Sequence, residues 1–166
     1  MIEIDVEPYY ILSKKHQLLT IIDNTFLTPY LSTPLEEGAD IVLHSATKYI
    51  GGHNDVLAGV VTVKDAQLAE QLNQFHNMIG ATLSPLDSYL LQRGLKTLHL
   101  RIERSQENAQ KLAQRCRQSD SIDEVLYSGR TGMLSLRLNQ AYSVAKFLEN
   151  LDICISVSYT HLRAHE

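Results

Sequence analysis

The stretch Ile41–His53 has the sequence IVLHSATKYIGGH, and it contains the features that decide the fold. Its first four residues form a strand-like apolar run, and Lys48 follows at the end of that run. A lysine held at a strand end by apolar neighbours is poorly hydrated, so its pKa falls and its amine can attack a carbonyl carbon. Ser45 and Thr47 supply two hydroxyl groups beside it, which can hydrogen-bond an anion such as a phosphate. Lys48 is therefore the principal candidate for chemistry.

Asp23 adds a carboxylate to the candidate amine and hydroxyl groups. Asp23 follows the apolar run Leu19–Ile22, which also has the character of a buried strand. A reactive lysine, hydroxyls for a phosphate and a carboxylate for a pyridinium nitrogen are the groups that a pyridoxal phosphate site needs. Two structural alternatives stay open: Asp23 as a turn residue, and Ser45 and Thr47 as partners of local backbone groups.

The order and spacing of several further motifs resemble one enzyme family. The motifs are Asp23–Phe26, Pro34–Asp40, His44–Lys48, Gly52–Gly59, Leu83–Leu91 and Arg93–Leu98. Together they resemble the Cys/Met metabolism enzymes, the pyridoxal-phosphate-dependent transsulfuration family of cystathionine β-lyase, γ-lyase and γ-synthase and the homoserine-ester sulfhydrylases. The resemblance extends from about Ile4 to Ile155.

This resemblance implies the fold, the cofactor and the site. It implies an α/β chain that forms part of a fold-type-I pyridoxal phosphate enzyme, with an aspartate-aminotransferase-like large domain and the start of an α/β small domain. Lys48 would be the catalytic residue and hold the cofactor, Asp23 would face its ring nitrogen, and Ser45 and Thr47 would bind its phosphate. The implied substrate is a small amino acid such as cystathionine, with a β- or γ-lyase favoured over a γ-synthase or an O-acetyl- or O-succinylhomoserine sulfhydrylase. A homo-oligomer arranged as a dimer of dimers is also implied.

Composition and sequence pattern argue against several other classes of protein. The net charge of −4 and the dispersed basic residues give no field for nucleic acid. No apolar run is long enough to span a membrane and no signal peptide is recognisable, so we expect a cytoplasmic protein. No metal site is expected: His161 and His165 have helical i,i+4 spacing but lack the glutamate of a His-Glu-x-x-His motif. Cys116 and Cys154 are expected to be plain buried thiols.

Apolar periodicity and capping residues predict the secondary structure. The predicted helices are 5–16, 33–37, 65–79, 84–116 with a break at Gly94, and 140–150; the predicted strands are 18–22, 41–44, 56–63, 125–127, 133–138 and 153–157. This alternation is typical of an α/β sheet.

The resemblance also predicts how the chain is divided. Residues 1–106 correspond to the C-terminal part of the large cofactor domain, and 107–156 to a linker helix and the start of the small domain. Residues 157–166 resemble a translated sequencing adapter rather than the family pattern. We therefore expect a fragment of a longer enzyme that is inactive when expressed alone.

Two other functions have some support in the sequence. Ser45–Lys48 is formally the Ser-x-x-Lys motif of penicillin-recognising acyl enzymes, but Gly51 and Gly52 would break the helix that this motif requires, and the chain has neither Ser-Asp-Asn nor Lys-Thr-Gly. The second alternative is an inactive truncated chain with only a binding or assembly role. Retention of Asp23, Ser45, Thr47 and Lys48 disfavours a degenerate site but says nothing of truncation.

Overall fold

The computed structural model describes residues 4–151, which form a mixed α/β structure with two sheets. In chain order the elements are α1 (Glu7–His16), β1 (Ile21–Asp23), α2 (Thr28–Leu31), α3 (Pro34–Glu37), β2 (Ile41–Ser45), β3 (Gly59–Val63), α4 (Ala66–Ile79), α5 (Pro85–Leu95), α6 (Leu98–Cys116), β4 (Ile122–Leu126), β5 (Ser135–Leu138) and α7 (Val144–Glu149). The predicted α/β class is confirmed.

The larger sheet has the strand order β1-β2-β3. β1 and β2 are parallel, with Asp23 opposite Leu43, whereas β3 is antiparallel to β2, with Gly59 opposite Ser45. Because β1 and β2 run in the same direction, their carboxyl ends lie at one edge of the sheet. That edge carries both Asp23 and Ser45.

Capping residues set the helix ends much as the sequence predicts. The Asp65 carboxylate accepts a hydrogen bond from the Leu68 N–H at 2.7 Å and starts α4. The Ser84 hydroxyl accepts one from the Asp87 N–H at 3.1 Å and starts α5. Each bond satisfies a backbone donor that lacks a partner within its own helix. Gly38 caps the C-terminal end of α3, and its positive φ of 127° suits glycine.

The first predicted strand is shorter than expected. The apolar run 18–22 predicts a buried strand, but pairing with β2 begins only at Ile21, and Leu18 and Leu19 are 61% and 63% exposed. The reason is the turn after α1. Thr20 binds the Asp40 carboxylate through both its N–H, at 2.7 Å, and its hydroxyl, at 2.9 Å, so only its carbonyl binds β2, by accepting from the Ile41 N–H at 3.0 Å.

The third strand also begins later, at Gly59 rather than at residue 56. The reason is that the backbone just before it is engaged elsewhere. The Ala58 N–H donates to the Thr47 hydroxyl at 2.9 Å, and the Ala58 carbonyl accepts from the Thr47 N–H at 3.2 Å. Ala58 therefore pairs with the loop after β2 and not with the strand itself.

The predicted break in the long helix lies slightly further along the chain. α5 continues through Gly94 and ends at Leu95, and α6 begins at Leu98. Gly94 is buried because the loop after β2 approaches it closely: a Cβ there would lie 2.3 Å from the Gly51 carbonyl oxygen. This glycine permits a close backbone contact rather than a kink.

Gly94→Ala is therefore expected to destabilise the protein despite the higher helix propensity of alanine, which is worth up to about 1 kcal/mol. The added methyl group meets backbone, which cannot rotate away, and overpacking of this kind typically costs about 1–3 kcal/mol. The midpoint of thermal unfolding should fall by about 2–8 °C. The matched control is Gly59→Ala, where the nearest atom to a new Cβ lies 3.9 Å away and little change is expected. A higher midpoint for Gly94→Ala would contradict the steric argument.

The C-terminal part contains the expected helix–strand–strand–helix order, with shifted ends. β4 and β5 pair in antiparallel fashion, and α7 is shorter than the predicted helix 140–150. Cys116 is a buried free thiol, as predicted. The predicted strand 153–157, Cys154, the two tail histidines and the tail 157–166 lie outside the described residues. The proposed boundary at 106/107 stays a prediction, and α6 runs continuously through it.

Candidate active site

Lys48 lies beside a cavity of about 580 Å³ at the edge of the first sheet. Phe26, Tyr49, Leu100 and Met133 give this cavity an apolar wall. Its polar lining consists of Lys48, Gly52, Asn54, Arg101, Arg104 and Ser105. The candidate lysine therefore faces a space large enough for a small ligand, with basic groups around it.

A tight turn presents Lys48 to the cavity. The Gly51 N–H donates to the Ala46 carbonyl and the Gly52 N–H donates to the Lys48 carbonyl, each at 2.8 Å. One side of the turn packs into the core, because Ala46 and Ile50 are buried against neighbouring apolar side chains. The backbone at Lys48 is thus held from within the protein.

Asp23 occupies the carboxyl end of β1 and is exposed. Its Oδ1 accepts a hydrogen bond from the Thr25 N–H at 3.0 Å. It lines a second cavity of about 290 Å³, and Phe26 lines both this cavity and the one beside Lys48. The structure therefore places the predicted carboxylate and the predicted amine in adjacent cavities that share one aromatic side chain.

Thr25 joins the ends of the two parallel strands. Its hydroxyl oxygen accepts a hydrogen bond from the Ser45 N–H at 2.7 Å. This bond holds the start of the lysine-bearing loop against the turn that carries Asp23. Thr25 is buried, so the bond is protected from water and helps to fix the edge of the sheet.

Thr47 is engaged with backbone, as one of the sequence-based alternatives allowed. Its hydroxyl donates to the Ala58 carbonyl at 3.3 Å and accepts from the Ala58 N–H at 2.9 Å. A threonine hydroxyl has one proton, so donation to a phosphate would require release of the longer of these bonds. The phosphate roles of Ser45 and Thr47 stay predictions, and neither residue lines the two cavities described above.

A buried polar group lies behind the sheet edge. The His44 side chain is buried, and its Nε2 lies 3.4 Å from the Asn24 Nδ2 atom. Burial lowers the pKa of the His44 imidazole, and the negative charge of Asp23 acts in the opposite direction. Burial also raises the pKa of the Tyr49 phenol, so both rings are neutral near pH 7.

Sequence reasoning missed Arg101, a lining residue contributed by α6. Its guanidinium donates to the Tyr49 carbonyl at 2.6 Å and to the Gly94 carbonyl at 2.8 Å. A signal for it did exist: Arg101 lies next to Leu98 and Ile102, two buried residues on the apolar stripe of the helix. A basic residue at the margin of such a stripe indicates a specific partner in the interior.

Comparison with known proteins connects this geometry to a family. A family model described as "Cys/Met metabolism PLP-dependent enzyme", where PLP is pyridoxal phosphate, matches residues 1–134. The chain belongs to the Cys/Met metabolism PLP-dependent enzyme family. The family assignment made from the motifs is confirmed, and pyridoxal phosphate is the cofactor of this family.

Relatives in the Cys/Met metabolism family carry several activities. The chain is 54% identical over 159 residues to the cystathionine gamma-synthase/O-acetylhomoserine (thiol)-lyase of Bacillus subtilis, covering 95% of this chain and 43% of the relative. It is 44% identical over 164 residues to the cystathionine beta-lyase of Lactococcus lactis, covering 89% of this chain and 43% of the relative. The chain thus spans less than half the length of these enzymes.

Solved structures agree on the fold. The cystathionine gamma-lyase of Lactobacillus plantarum, complexed with L-serine, matches with a TM-score of 0.88 at 36% identity, covering 92% of this chain and 45% of that one. The cystathionine gamma synthase of Xanthomonas oryzae, in complex with aminoacrylate and cysteine, matches with a TM-score of 0.86 at 37% identity, covering 92% and 44%. The predicted fold, a part of a pyridoxal phosphate enzyme of this kind, is confirmed.

The groups at the sheet edge fit the family's cofactor. An amine lines a cavity, a carboxylate lies at the end of the adjacent strand, and two hydroxyls lie at the last residue of the second strand and just after it. This donor set matches an aldehyde, a pyridine nitrogen and a phosphate in turn. Among residues 4–151 no group of three or more His, Cys, Asp or Glu side chains is arranged to hold a metal ion. Over the same residues, no helix combines the length and apolar character needed to cross a membrane.

Proposed function

We propose that this chain is part of a longer transsulfuration enzyme that acts on cystathionine or a related sulfur amino acid. The observation that carries the proposal is that Lys48 lines a cavity beside the carboxyl ends of two parallel strands. The similarity to cystathionine synthases and lyases supports the substrate class. The full-length protein that carries these residues is called the longer enzyme.

In this proposal, pyridoxal phosphate supplies an electron-withdrawing ring that weakens bonds at the carbon bearing the substrate's amino group. Lys48 binds the cofactor and then accepts and returns protons at the substrate carbons. Asp23 stabilises a proton on the ring nitrogen through its negative charge, and Ser45 and Thr47 bind the phosphate. Tyr49, whose phenol pKa is raised by burial, lines the cavity next to the lysine.

The named relatives favour two kinds of reaction. Elimination would split cystathionine, with uptake of water, into one thiol-bearing amino acid, a 2-oxo acid and ammonia, as in the lyases preferred from the sequence. The higher identity to the Bacillus subtilis enzyme favours a second candidate, replacement at the γ-carbon of a homoserine ester. β-Elimination breaks the bond between the β-carbon and sulfur. γ-Elimination and γ-replacement both break the bond between the γ-carbon and its heteroatom, and they differ in whether a new nucleophile then adds to the γ-carbon.

Product analysis of the longer enzyme tests the proposal. With cystathionine alone, β-elimination yields pyruvate and γ-elimination yields 2-oxobutyrate, while O-acetylhomoserine with cysteine yields cystathionine if the enzyme is a γ-synthase. We expect one of these products to exceed the blank, which is the same protein after borohydride reduction. Absence of all three products from cofactor-loaded, folded enzyme would contradict the proposal and favour a binding or assembly role.

Assembly and location form a second part of the proposal. We propose a homo-oligomer, expected from the family resemblance to be a dimer of dimers, in the cytoplasm. Large apolar side chains are exposed on the described surface, including Phe75 at 60%, Met78 at 81% and Ile79 at 75% on α4. An apolar face of this kind supports association with further protein surface. The mass of the longer enzyme in solution, measured by light scattering, tests this expectation.

A further inference from the structure

Arg101 joins α6 to the turn that carries Lys48 and to the end of α5. Its guanidinium Nη1 donates to the Tyr49 carbonyl at 2.6 Å, and its Nη2 lies 3.4 Å from the Ile50 carbonyl oxygen and 2.8 Å from the Gly94 carbonyl oxygen. Its Nε donates to the Thr97 hydroxyl at 3.1 Å. One side chain of α6 thus contacts the lysine-bearing turn and the end of α5 together.

The carbonyl groups that Arg101 binds come directly after Lys48. The turn satisfies its own N–H groups at Gly51 and Gly52. The carbonyls of Tyr49 and Ile50 lie at its C-terminal end, where an ordinary helical turn leaves acceptors unpaired. A basic side chain that binds such carbonyls stabilises the turn in the way that it stabilises a helix end.

Two glycines make room for this arrangement. A Cβ at Gly52, which has a φ of 77°, would lie 2.1 Å from Arg101 Nη1. A Cβ at Gly94 would lie 2.3 Å from the Gly51 carbonyl oxygen and 2.7 Å from that of Ile50. Larger side chains at either position would displace the guanidinium or separate α5 from the turn. The backbone is therefore shaped around a planar, multidentate donor, which arginine provides and lysine does not.

We propose that Arg101 is a positioning residue that fixes the backbone of the turn at Lys48 and so sets the location of the reactive amine. The inference rests on the proposed function in so far as Lys48 is the reactive lysine. The lysine side chain has four flexible methylene groups, so the position of its amine depends on a fixed backbone. Apolar packing of Ile50 holds one side of the turn, and Arg101 holds the other.

Hydrogen exchange tests the positioning role independently of catalysis. In the longer enzyme, Arg101→Ala should accelerate exchange of the Gly51 and Gly52 amides about 10- to 100-fold, the effect of losing one charged hydrogen bond. Arg101→Lys should also accelerate it, because an ammonium group cannot bind these carbonyls in a fixed plane. The control is Arg115→Ala, an exposed arginine on the last turn of the same helix, which should leave both amides unchanged. Unchanged exchange in folded Arg101→Lys would overturn the proposal, and this milder variant decides the matter if Arg101→Ala does not fold.

Steady-state kinetics separate positioning from substrate binding. A displaced lysine should lower kcat about 10- to 100-fold and leave KM within about twofold, because the interaction is with the enzyme's own backbone. Millimolar guanidinium chloride should restore part of kcat and part of the amide protection in Arg101→Ala, and have no such effect on Arg115→Ala. A raised KM with unchanged kcat and unchanged exchange would instead make Arg101 a substrate ligand and overturn the proposal. If the longer enzyme has no lyase or synthase activity, the proposed function fails, while the exchange result still decides whether Arg101 fixes the turn.

Discussion

Lys48→Ala is expected to abolish the borohydride-reducible link between the longer enzyme and its cofactor, together with nearly all turnover. The side chain is the amine that lines the 580 Å³ cavity at the end of β2, and it serves as both attachment point and proton carrier in the proposed function. Loss of the proton-transfer role alone costs about 10²- to 10⁴-fold in rate. Loss of the covalent link to the cofactor should reduce the rate further, because the cofactor would then be held by hydrogen bonds only.

The test is reduction with borohydride followed by peptide mapping. The expected result is a pyridoxyl label on Lys48 in the unmodified enzyme and none in Lys48→Ala. The matched control is Lys64→Ala, because Lys64 is an exposed lysine directly after β3 and thus also follows a strand. Its replacement should leave both label and turnover intact. A label on Lys14, Lys15 or Lys64 in the unmodified enzyme would remove Lys48 from its proposed role.

Local sequence carries enough information to single out Lys48 as a candidate. The strand before it, the hydroxyls beside it and the glycines after it are all within a few residues, and the structure groups them at one sheet edge. The same is true of the helix starts at Asp65 and Ser84, since a capping side chain binds an N–H only three residues away. Short-range interactions of this kind leave a direct trace in the residue order.

Interactions between distant residues leave a weaker trace. Two of the partners of Arg101 are the carbonyls of Tyr49 and Ile50, which lie 52 and 51 residues away along the chain. No local pattern reports a contact with a backbone carbonyl, because every residue offers the same acceptor whatever its side chain. The apolar neighbours Leu98 and Ile102 indicated only that this arginine faces the interior. Only the folded structure identifies the carbonyls that it binds.

The starting points of β1 and β3 are also difficult to predict from local sequence. Apolar runs predict that a strand exists, but pairing begins where the backbone is free to bind its neighbour. Asp40 engages Thr20 before β1, and Thr47 engages Ala58 before β3, so each strand starts late. Each contact involves a side chain from another part of the chain, 20 and 11 residues away, and Ala58 also binds the backbone N–H of Thr47. Strand length therefore depends on contacts that periodicity does not encode.

Substitution of Asp23 is expected to have the second large effect on activity. The contacts of Asp23 allow the effect of its charge to be measured separately from the effect of its hydrogen bond to the backbone. Its Oδ1 accepts a hydrogen bond from the Thr25 N–H. Asp23→Asn keeps an oxygen for this bond and removes the negative charge, whereas Asp23→Ala removes both. In the proposed function the charge stabilises the proton on the cofactor ring, and a neutral ring withdraws electrons less strongly. A charge-assisted hydrogen bond is worth about 1.5–3 kcal/mol, so kcat/KM should fall about 10- to 150-fold in Asp23→Asn.

Asp23→Glu should retain more activity than Asp23→Asn, because it preserves the charge at the cost of a longer side chain. The matched control for the lost backbone bond is Asp65→Ala, since the Asp65 carboxylate accepts a comparable bond from Leu68 at the start of α4 and lies outside the described site. Replacement of Asp65 should lower the midpoint of thermal unfolding, because loss of an N-cap typically costs about 1 kcal/mol, and leave kcat/KM unchanged. Asp23→Ala should lower both quantities. Equal activity in the unmodified enzyme and in Asp23→Ala would show that the carboxylate at the end of β1 only caps a turn, and the ring nitrogen would then need a different partner.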